Sequence, residues 1–187
     1  MSNKASFSNK IVDRQTKRQV YASSLTEFSL AGWVNFQDSQ YTPSNKLTIS
    51  DGVASKLTYE QPVLFPQFDR EPQIGSTKYP IWDFTDQKII SYPENNLGNC
   101  SARVQFVVEA ITSAAGVAVE IALVVPNFLT IFRETKPIVK GTDPQRLTFN
   151  LPFFYDQNTI DNGVEIYLTP LGDNIRLYNS SIQLKNW

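Results

Sequence analysis

Five stretches in the second half of the chain alternate apolar and polar side chains position by position. In residues 101–111 the apolar side chains, among them Val104 and Phe106, stand on even positions. In residues 145–154 they stand on odd positions, as Phe149 does. Successive side chains of a β-strand leave opposite faces of the sheet, so a period of two is typical of strands with one buried face. The pattern therefore predicts a chain made mostly of antiparallel strands.

Turn residues divide the chain into about eight to ten strands of ordinary length, and no segment has a clear helical period. The later predicted strands are residues 101–111, 117–125, 127–132, 145–154, 164–168 and 175–185. Strands at this spacing, without internal repeats, are typical of two packed sheets rather than a propeller. We predict an all-β fold: an antiparallel β-sandwich of the jelly-roll type with an extended N-terminal arm.

Three local signals refine this prediction. Asp51-Gly52 separates two alternating runs, which is the turn chemistry of a two-residue hairpin. Residues 79–92 form a second expected hairpin. In the last strand the apolar side chains move from odd positions (Ile175) to even positions (Leu184), which predicts a bulge near residues 179–181.

Composition narrows the possible chemistry. The 187 residues contain no His and a single Cys, Cys100, and their formal net charge is −1. His is the commonest general base and metal ligand, so Ser–His and Cys–His nucleophiles and His-ligated metal sites are excluded. A charge so near zero argues against a general nucleic-acid binder or a membrane-surface binder. We expect no catalytic residues, no metal and no cofactor, and hence a protein that is not an enzyme.

Paired carboxylates are the one catalytic device left to a β-sandwich without His, as in glycosidases. The candidate pairs are Asp83 with Asp86, Asp69 with Glu71, and Glu109 with Glu120. Turn formation explains the first pair, and a solvated or interface position explains the third. Glu109 and Glu120 also interrupt the apolar segment 104–125, which favours a buried hairpin over a membrane span.

Residues 156–163 suggest a calcium loop because they are rich in Asp and Asn. Ile160 stands at the fifth position, however, and Gly163 at the eighth, whereas an EF-hand needs an oxygen ligand and then a glycine at the sixth. We therefore expect a connection with a β-turn at Asn162-Gly163 and no metal.

The first twenty residues form a polar, basic arm. Five cations against one anion give it a net charge of +4, which leaves −5 for the rest of the chain. The expected partner-binding residues are its cations and apolar anchors: Lys4, Phe7, Lys10, Ile11, Arg14, Lys17 and Arg18. A solvated, disordered terminus is the alternative interpretation, and the sequence leaves both open. We divide the chain into residues 1–44, the arm and a lead-in segment, and residues 45–187, the β-sandwich.

Trp33 has the opposite parity to the apolar residues Phe28, Leu30 and Val34 of its strand. This parity makes Trp33 a possible surface aromatic, whose ring could stack on a sugar. Burial in a second interface is the alternative interpretation.

In three features the chain resembles the trimeric jelly-roll decoration proteins (cement or head-fibre proteins) of tailed bacteriophages. The first is the basic arm that follows Met1 without an apolar signal segment. The second is a β domain rich in Asn, Gln and Thr that has no His and no possible internal disulfide. The third is the C-terminal pair of strands, residues 164–168 and 175–184. The resemblance covers residues 45–187 as architecture and includes no diagnostic motif.

The resemblance implies a non-enzymatic structural protein of the virion, made in the host cytoplasm and located on the capsid surface. Its implied partners are the major capsid protein and copies of itself in a homotrimer, with no nucleic acid and no membrane. Two alternatives stay open. One is a carbohydrate-binding or receptor-binding jelly-roll module of a tail or head fibre, with a glycan as partner. The other is a small single-jelly-roll capsid subunit, whose internal arm would normally be more basic.

Overall fold

The computed structural model describes residues 28–29, 32–60, 71–74, 77–91, 98–112, 116–127, 129–139 and 142–186. Within these ranges the chain forms fourteen strands and one short helix, α1 (Gln157–Asn162). The first eight strands are β1 (Phe28–Ser29), β2 (Gly32–Gln37), β3 (Leu47–Ile49), β4 (Ser55–Lys56), β5 (Gln73–Ile74), β6 (Thr77–Lys78), β7 (Trp82–Asp83) and β8 (Lys88–Ile89). The last six are β9 (Asn99–Ala110), β10 (Ala118–Val124), β11 (Thr130–Pro137), β12 (Gln145–Phe154), β13 (Glu165–Leu171) and β14 (Ile175–Asn186).

Two large antiparallel sheets contain the long strands. In sheet I the order is β12–β9–β14–β2, and β3 also pairs with β14. Strand β9 pairs with one edge of β14 along its length. Strands β3 and β2 pair with successive parts of the other edge. In sheet II the order is β11–β10–β13–β4. The remaining short strands form a β1–β5–β6 sheet and a β7–β8 hairpin.

The chain changes sheet at almost every long connection. It passes from β3 in sheet I to β4 in sheet II, from β9 to β10, from β11 back to β12, and then through β13 to β14. Only β10 and β11 are consecutive strands of one large sheet that pair directly. With β2 and β3 counted as one edge, eight strands in two four-stranded sheets with this order form a jelly roll. The predicted fold class is confirmed.

Two predicted hairpins are wrong in a similar way. The Asp51-Gly52 turn is present, but it joins β3 in sheet I to β4 in sheet II instead of pairing them. The Asp51 carboxylate accepts from the Gly172 N–H at 2.7 Å, which fastens this crossing to the β13–β14 turn. The strands expected to form a hairpin within 104–125 are β9 and β10, and they also lie in different sheets. Alternation identifies the buried face of a strand, whereas its neighbour is chosen by packing in three dimensions.

Other local predictions agree with the structure. The predicted strand 145–154 has the bounds of β12, and the hairpin within 79–92 is present as β7 and β8. In β14 the register with β9 shifts between Tyr178 and Ser181, so the predicted bulge is confirmed. Strand β2 lies on the N-terminal side of the boundary that we placed after residue 44, and it pairs with β14 along its length.

The helix α1 was not predicted and occupies the connection that we expected to be a loop. Asp156 caps it, because its carboxylate accepts from the Thr159 N–H at 2.9 Å while the Thr159 hydroxyl accepts from the Asp156 N–H at 2.8 Å. Gly163 ends it at φ 73°, where an added Cβ would lie 2.9 Å from the Ile89 carbonyl oxygen. Among the described residues, no helix is long and apolar enough to cross a membrane.

The core lies between the inward faces of sheets I and II. Phe106 of β9 and Phe149 of β12 stack with ring centroids 5.8 Å apart, and both are fully buried. The β7–β8 hairpin covers one end of the core through Trp82, which packs edge-on against Tyr59 at 5.4 Å. Aromatic and β-branched side chains on one face of each strand thus fix the two sheets against each other.

Replacing Phe149 with Ala should lower the free energy of unfolding by about 3–5 kcal/mol, because the cavity would open in the middle of the core. Chemical denaturation monitored by far-UV circular dichroism measures the loss. Val53→Ala is the control, since Val53 is 53% exposed and its truncation should change stability by less than about 0.5 kcal/mol. Equal stability of the two variants would mean that the buried face of β12 is assigned wrongly.

Candidate functional site

The outer face of sheet I is a continuous polar surface built from the alternate positions of four strands. Antiparallel pairing places outward side chains of β2, β14, β9 and β12 in rows across the sheet. The three rows, read in that strand order, are Trp33–Lys185–Ser101–Pro152, Asn35–Gln183–Arg103–Asn150 and Gln37–Ser181–Gln105–Thr148. Amide, hydroxyl and guanidinium groups therefore dominate the middle of this face.

A groove with a volume of about 500 Å³ runs over these rows. The residues that supply its polar groups include Asn35, Gln37, Arg103, Gln105, Arg146 and Gln183. The β14 bulge borders the groove, because Asn179, at φ 52°, and Ser180 interrupt the ladder with β9 there. A bulge bends its strand and increases local twist, which explains why an otherwise flat sheet face is concave at this point.

The groove contains two exposed guanidinium groups. Arg103 and Arg146 lie on neighbouring strands, and neither forms an ion pair with a carboxylate of the described residues. With its oxygen turned toward these donors, the Gln105 amide accepts from the Arg103 guanidinium at 2.8 Å and from the Thr148 hydroxyl at 3.1 Å. Gln105 thereby holds Arg103 in place, while the other guanidinium N–H groups remain directed to solvent.

The acidic residue of the groove, Asp38, is committed to the local backbone. Its carboxylate accepts from the Gln40 N–H at 2.8 Å and from the Tyr41 N–H at 3.3 Å, and burial raises its pKa above the usual value for Asp. The Asn179 N–H donates to the Tyr41 carbonyl at 2.9 Å, which ties this turn to the β14 bulge. Asp38 therefore shapes the border of the groove and does not neutralise the two arginines through an ion pair.

A second polar cluster lies further along the same face, beyond the bulge. The Lys46 ammonium donates to both carboxylate oxygens of Glu109, at 2.8 and 2.7 Å, and the Tyr178 hydroxyl donates to Glu109 at 3.1 Å. The hydrogen bond from Lys46 lowers the pKa of Glu109 against the opposing effect of burial. Arg176 stands opposite Glu109 in the ladder and adds a further positive charge beside it. Because Lys46 and Tyr178 both bond to Glu109, the cluster is a structural tie between β9, β14 and the segment before β3.

The outer face of sheet II differs in chemistry. A shallow depression of about 560 Å³ there contains apolar groups of Ala122, Val124 and Tyr167. Its charges form ion pairs: Glu165 accepts from Lys56 at 2.6 Å, and Glu120 lies 3.4 Å from Arg133. Among the described residues, guanidinium groups without an ion pair therefore line the groove of sheet I and not the depression of sheet II.

The carboxylate pairs considered from the sequence have different positions in the structure. Glu109 and Glu120 lie on the outer faces of different sheets, so they cannot act on one substrate. Asp83 accepts from the N–H groups of Thr85 and Asp86, as its turn position predicts. Asp69 lies outside the described residues. The part of the chain that the structure describes contains no group of three or more Cys, Asp or Glu suited to a metal ion.

The sequence-predicted partner-binding residues have different outcomes. Those of the arm, Lys4, Phe7, Lys10, Ile11, Arg14, Lys17 and Arg18, lie outside the described residues. Trp33 is half-buried on the outer face of sheet I, two positions before Asn35 and opposite Lys185. The groove itself was missed, because Arg103 and Arg146 are 43 positions apart and only the β9–β12 register brings them to one face.

No protein-family model matches this chain, and no curated protein does. Among solved structures, Eiger TNF from S. frugiperda is similar, with a TM-score of 0.51 and 12% identity over 86% of this chain and 93% of that one. The PRD1 vertex protein P5 has a TM-score of 0.38 and 12% identity, covering 83% and 71%. A chain of the cowpea mosaic virus top component has a TM-score of 0.28 and 12% identity, over 85% of this chain and 82% of that one. At such identity, the likeness to the TNF concerns the fold alone.

The Glu109 cluster generates a prediction about stability and pH. Glu109→Gln should lower the free energy of unfolding by about 1–3 kcal/mol at neutral pH, because it leaves the Lys46 ammonium without its carboxylate. The ionised carboxylate has a lowered pKa in the native state, so its contribution is complete above the ordinary pKa of Glu and disappears as the pH falls through the native value. The stability difference between the variant and the parent should therefore shrink in acid.

Urea unfolding curves recorded from neutral to acid pH measure this difference. Glu120→Gln is the matched control, because its partner Arg133 is 58% exposed and the pair should contribute about 0.5 kcal/mol or less. A pH-independent loss for Glu109→Gln, or an equal loss for Glu120→Gln, would contradict the assigned role of the cluster.

Proposed function

We propose that this chain is a non-enzymatic structural protein of a virus particle, a decoration protein that attaches to the capsid surface and stabilises the shell. The observation that carries the proposal is the eight-stranded jelly roll, in which one edge of a long strand has no neighbouring strand among the described residues. Jelly rolls are the fold of many viral capsid and lectin domains, and this part of the argument is an analogy of fold. The sequence resemblance to decoration proteins of tailed bacteriophages points the same way.

The interior of the molecule is suited to a mechanical role. The core is continuous from the β7–β8 hairpin to Phe106 and Phe149, and side chains close the crossings between the sheets. Charged groups such as Lys46, Glu109 and Glu165 are used in ion pairs that tie strands together. A close-packed interior has low compressibility and transmits strain, which suits a protein that stabilises a shell.

The free edge of sheet I supports self-association. Strand β12 has ten residues and pairs with β9 on one edge, while its other edge has no neighbouring strand among the described residues. Lys136 of β11 donates to the Thr148 carbonyl and so occupies one acceptor there. Val139 and Phe154, near the two ends of β12, are 73% and 69% exposed. An unpaired strand edge is a template for pairing with another chain, and a second copy is the simplest partner.

We expect the purified chain to form a homotrimer through this edge. Native mass spectrometry at micromolar concentration should give three times the 21.2 kDa of one chain. Phe154→Lys should shift the population to monomers, because it places a charge in the proposed interface, whereas Val53→Lys, at another exposed apolar residue, should not. A monomeric parent protein, or equal effects of both variants, would refute self-association through β12.

Attachment to the shell is assigned to the arm, whose +4 charge suits an acidic capsid surface. Removing residues 1–20 should leave the circular dichroism spectrum and the melting temperature of the β domain unchanged. It should abolish co-sedimentation with purified particles that lack the protein. Replacing only the five arm cations with Gln keeps Phe7 and Ile11 and should weaken attachment in a salt-dependent way. Full attachment by the truncated chain would refute the assigned role of the arm.

A further inference from the structure

We propose that the groove on the outer face of sheet I binds a short saccharide that carries a carboxylate. Arg103 and Arg146 would hold the acidic group, and the amides of Asn35, Gln105 and Gln183 would bind the ring hydroxyls. This assignment rests on the groove alone and does not depend on attachment to a capsid.

The guanidinium groups define the charge that the groove accepts. Arg103 and Arg146 are exposed, lie on neighbouring strands, and form no ion pair among the described residues. A planar guanidinium binds a carboxylate through two parallel N–H···O bonds, which is stronger and more directional than contact with an ammonium. Because Asp38 is already bonded to the Gln40 and Tyr41 N–H groups, an incoming carboxylate would compete with no ion pair.

The amide groups define the rest of the ligand. Asn35, Gln183 and Arg103 form one row across three strands, and Gln105 stands in the next row. The amides of Asn35 and Gln183 each offer a donor and an acceptor, whereas the Gln105 oxygen is bonded to Arg103 and Thr148 and leaves its N–H groups to donate. A sugar hydroxyl both donates and accepts, so adjacent hydroxyls can satisfy these groups at once. A volume of about 500 Å³ is within the usual range for small-ligand sites, but the walls here are polar, which suits a hydrated ligand rather than an apolar one.

Trp33 extends the site in one direction. It lies two residues before Asn35 on the same face of β2, so its Cα stands roughly 7 Å along the strand from the row that contains Arg103. Trp33 is half-buried, so part of the residue is accessible on this face. An aromatic ring beside amide groups can pack against the apolar face of a sugar while the amides bind its hydroxyls.

The overall charge of the chain favours a small acidic ligand over a long polyanion. Residues 21–187 carry a net charge of −5, which opposes the approach of a nucleic acid along the sheet. A small ligand with one carboxylate is affected mainly by the two nearby arginines, whose positive charge attracts it. The groove is also bordered by the β14 bulge, so it suits a few linked rings better than an extended chain.

Titration of the full-length protein with two pairs of matched probes tests the site. The probes are trigalacturonic acid with its methyl ester, and sialyllactose with lactose, followed by isothermal calorimetry and by NMR of side-chain amides. We expect at least one carboxylated probe to bind and its neutral counterpart to bind at least tenfold more weakly. The shifted side-chain amide signals should be those of Asn35, Gln105 and Gln183.

Variants assign the contacts. Arg103→Gln and Arg146→Gln should each weaken binding of the carboxylated probe about tenfold, as expected for a lost charge-assisted hydrogen bond. Trp33→Ala should weaken the acidic and the neutral probe by a similar factor. Arg133→Gln, which removes an exposed arginine from the outer face of sheet II, is the charge-matched control and should change nothing. Circular dichroism of each variant checks that it is folded.

Several results would overturn the proposal. They are the absence of binding by both carboxylated probes, equal binding of the acidic and neutral members of each pair, equal loss in Arg133→Gln, or a preference for a single-stranded oligonucleotide over the acidic saccharides. Removing residues 1–20 should leave saccharide binding intact. Loss of capsid attachment with retained saccharide binding, or the reverse, would therefore separate failure of the proposed function from failure of this site.

Discussion

The whole structure depends on how β14 pairs along both of its edges. This twelve-residue strand contacts β9 on one edge and β2 and β3 on the other, so it holds the centre of sheet I. Ile175 and Leu177 face the core at one end, and Ile182 and Leu184 face it at the other. These two sets have opposite parity, so a regular strand could bury only one of them. The bulge between Tyr178 and Ser181 removes this conflict and keeps the core closed.

The same bulge gives the outer face of sheet I its shape. Where the β9–β14 ladder is interrupted, Asn179 turns outward and its N–H bonds to the Tyr41 carbonyl. The segment around Asp38 is thereby held beside the sheet, and the groove with Arg103 lies next to it. A feature required for packing on one side of the strand thus creates concavity on the other, because the backbone cannot bend on one side alone.

The sequence determined the presence and the faces of the strands better than their partners. The alternation around Phe106 and Phe149 depends only on local periodicity, and the shift of parity in β14 was visible for the same reason. The pairing of β3 with β14, instead of with β4, could not be inferred, because a turn at Asp51-Gly52 serves a hairpin and a crossing between sheets equally well. The helix α1 did have a local signal, Asp156 followed by Thr159 in a capping box, but the surrounding Asn and Asp residues are also typical of loops.

The groove required information that no local pattern contains. Arg103 and Arg146 each stand on the polar parity of their strands, which marks them as outward-facing and nothing more. The register pairs Asn150 with Arg103 and Arg146 with Val107, so the two arginines stand four positions apart along the β9–β12 ladder and both line the groove. Individual polar residues are common on the outer face of a sheet and do not indicate a site. Two guanidinium groups that form no ion pair among the described residues, beside a row of amides, together offer donors to a polar, charged ligand. The strand register, rather than the residue types alone, brings these polar side chains together.

The two outer faces of the sandwich therefore have different capacities for binding. On sheet II, Lys56 with Glu165 and Arg133 with Glu120 satisfy the charges within the face, so a charged ligand would have to break an existing pair. On sheet I, Lys46 and Glu109 form such a pair, while Arg103 and Arg146 form no ion pair with a carboxylate of the described residues. Breaking a pair costs the interaction that it replaces, whereas an unpaired guanidinium offers its N–H groups at the cost of displacing water. A single jelly roll can in this way present one face whose charges are satisfied internally and another whose arginines are available to a ligand.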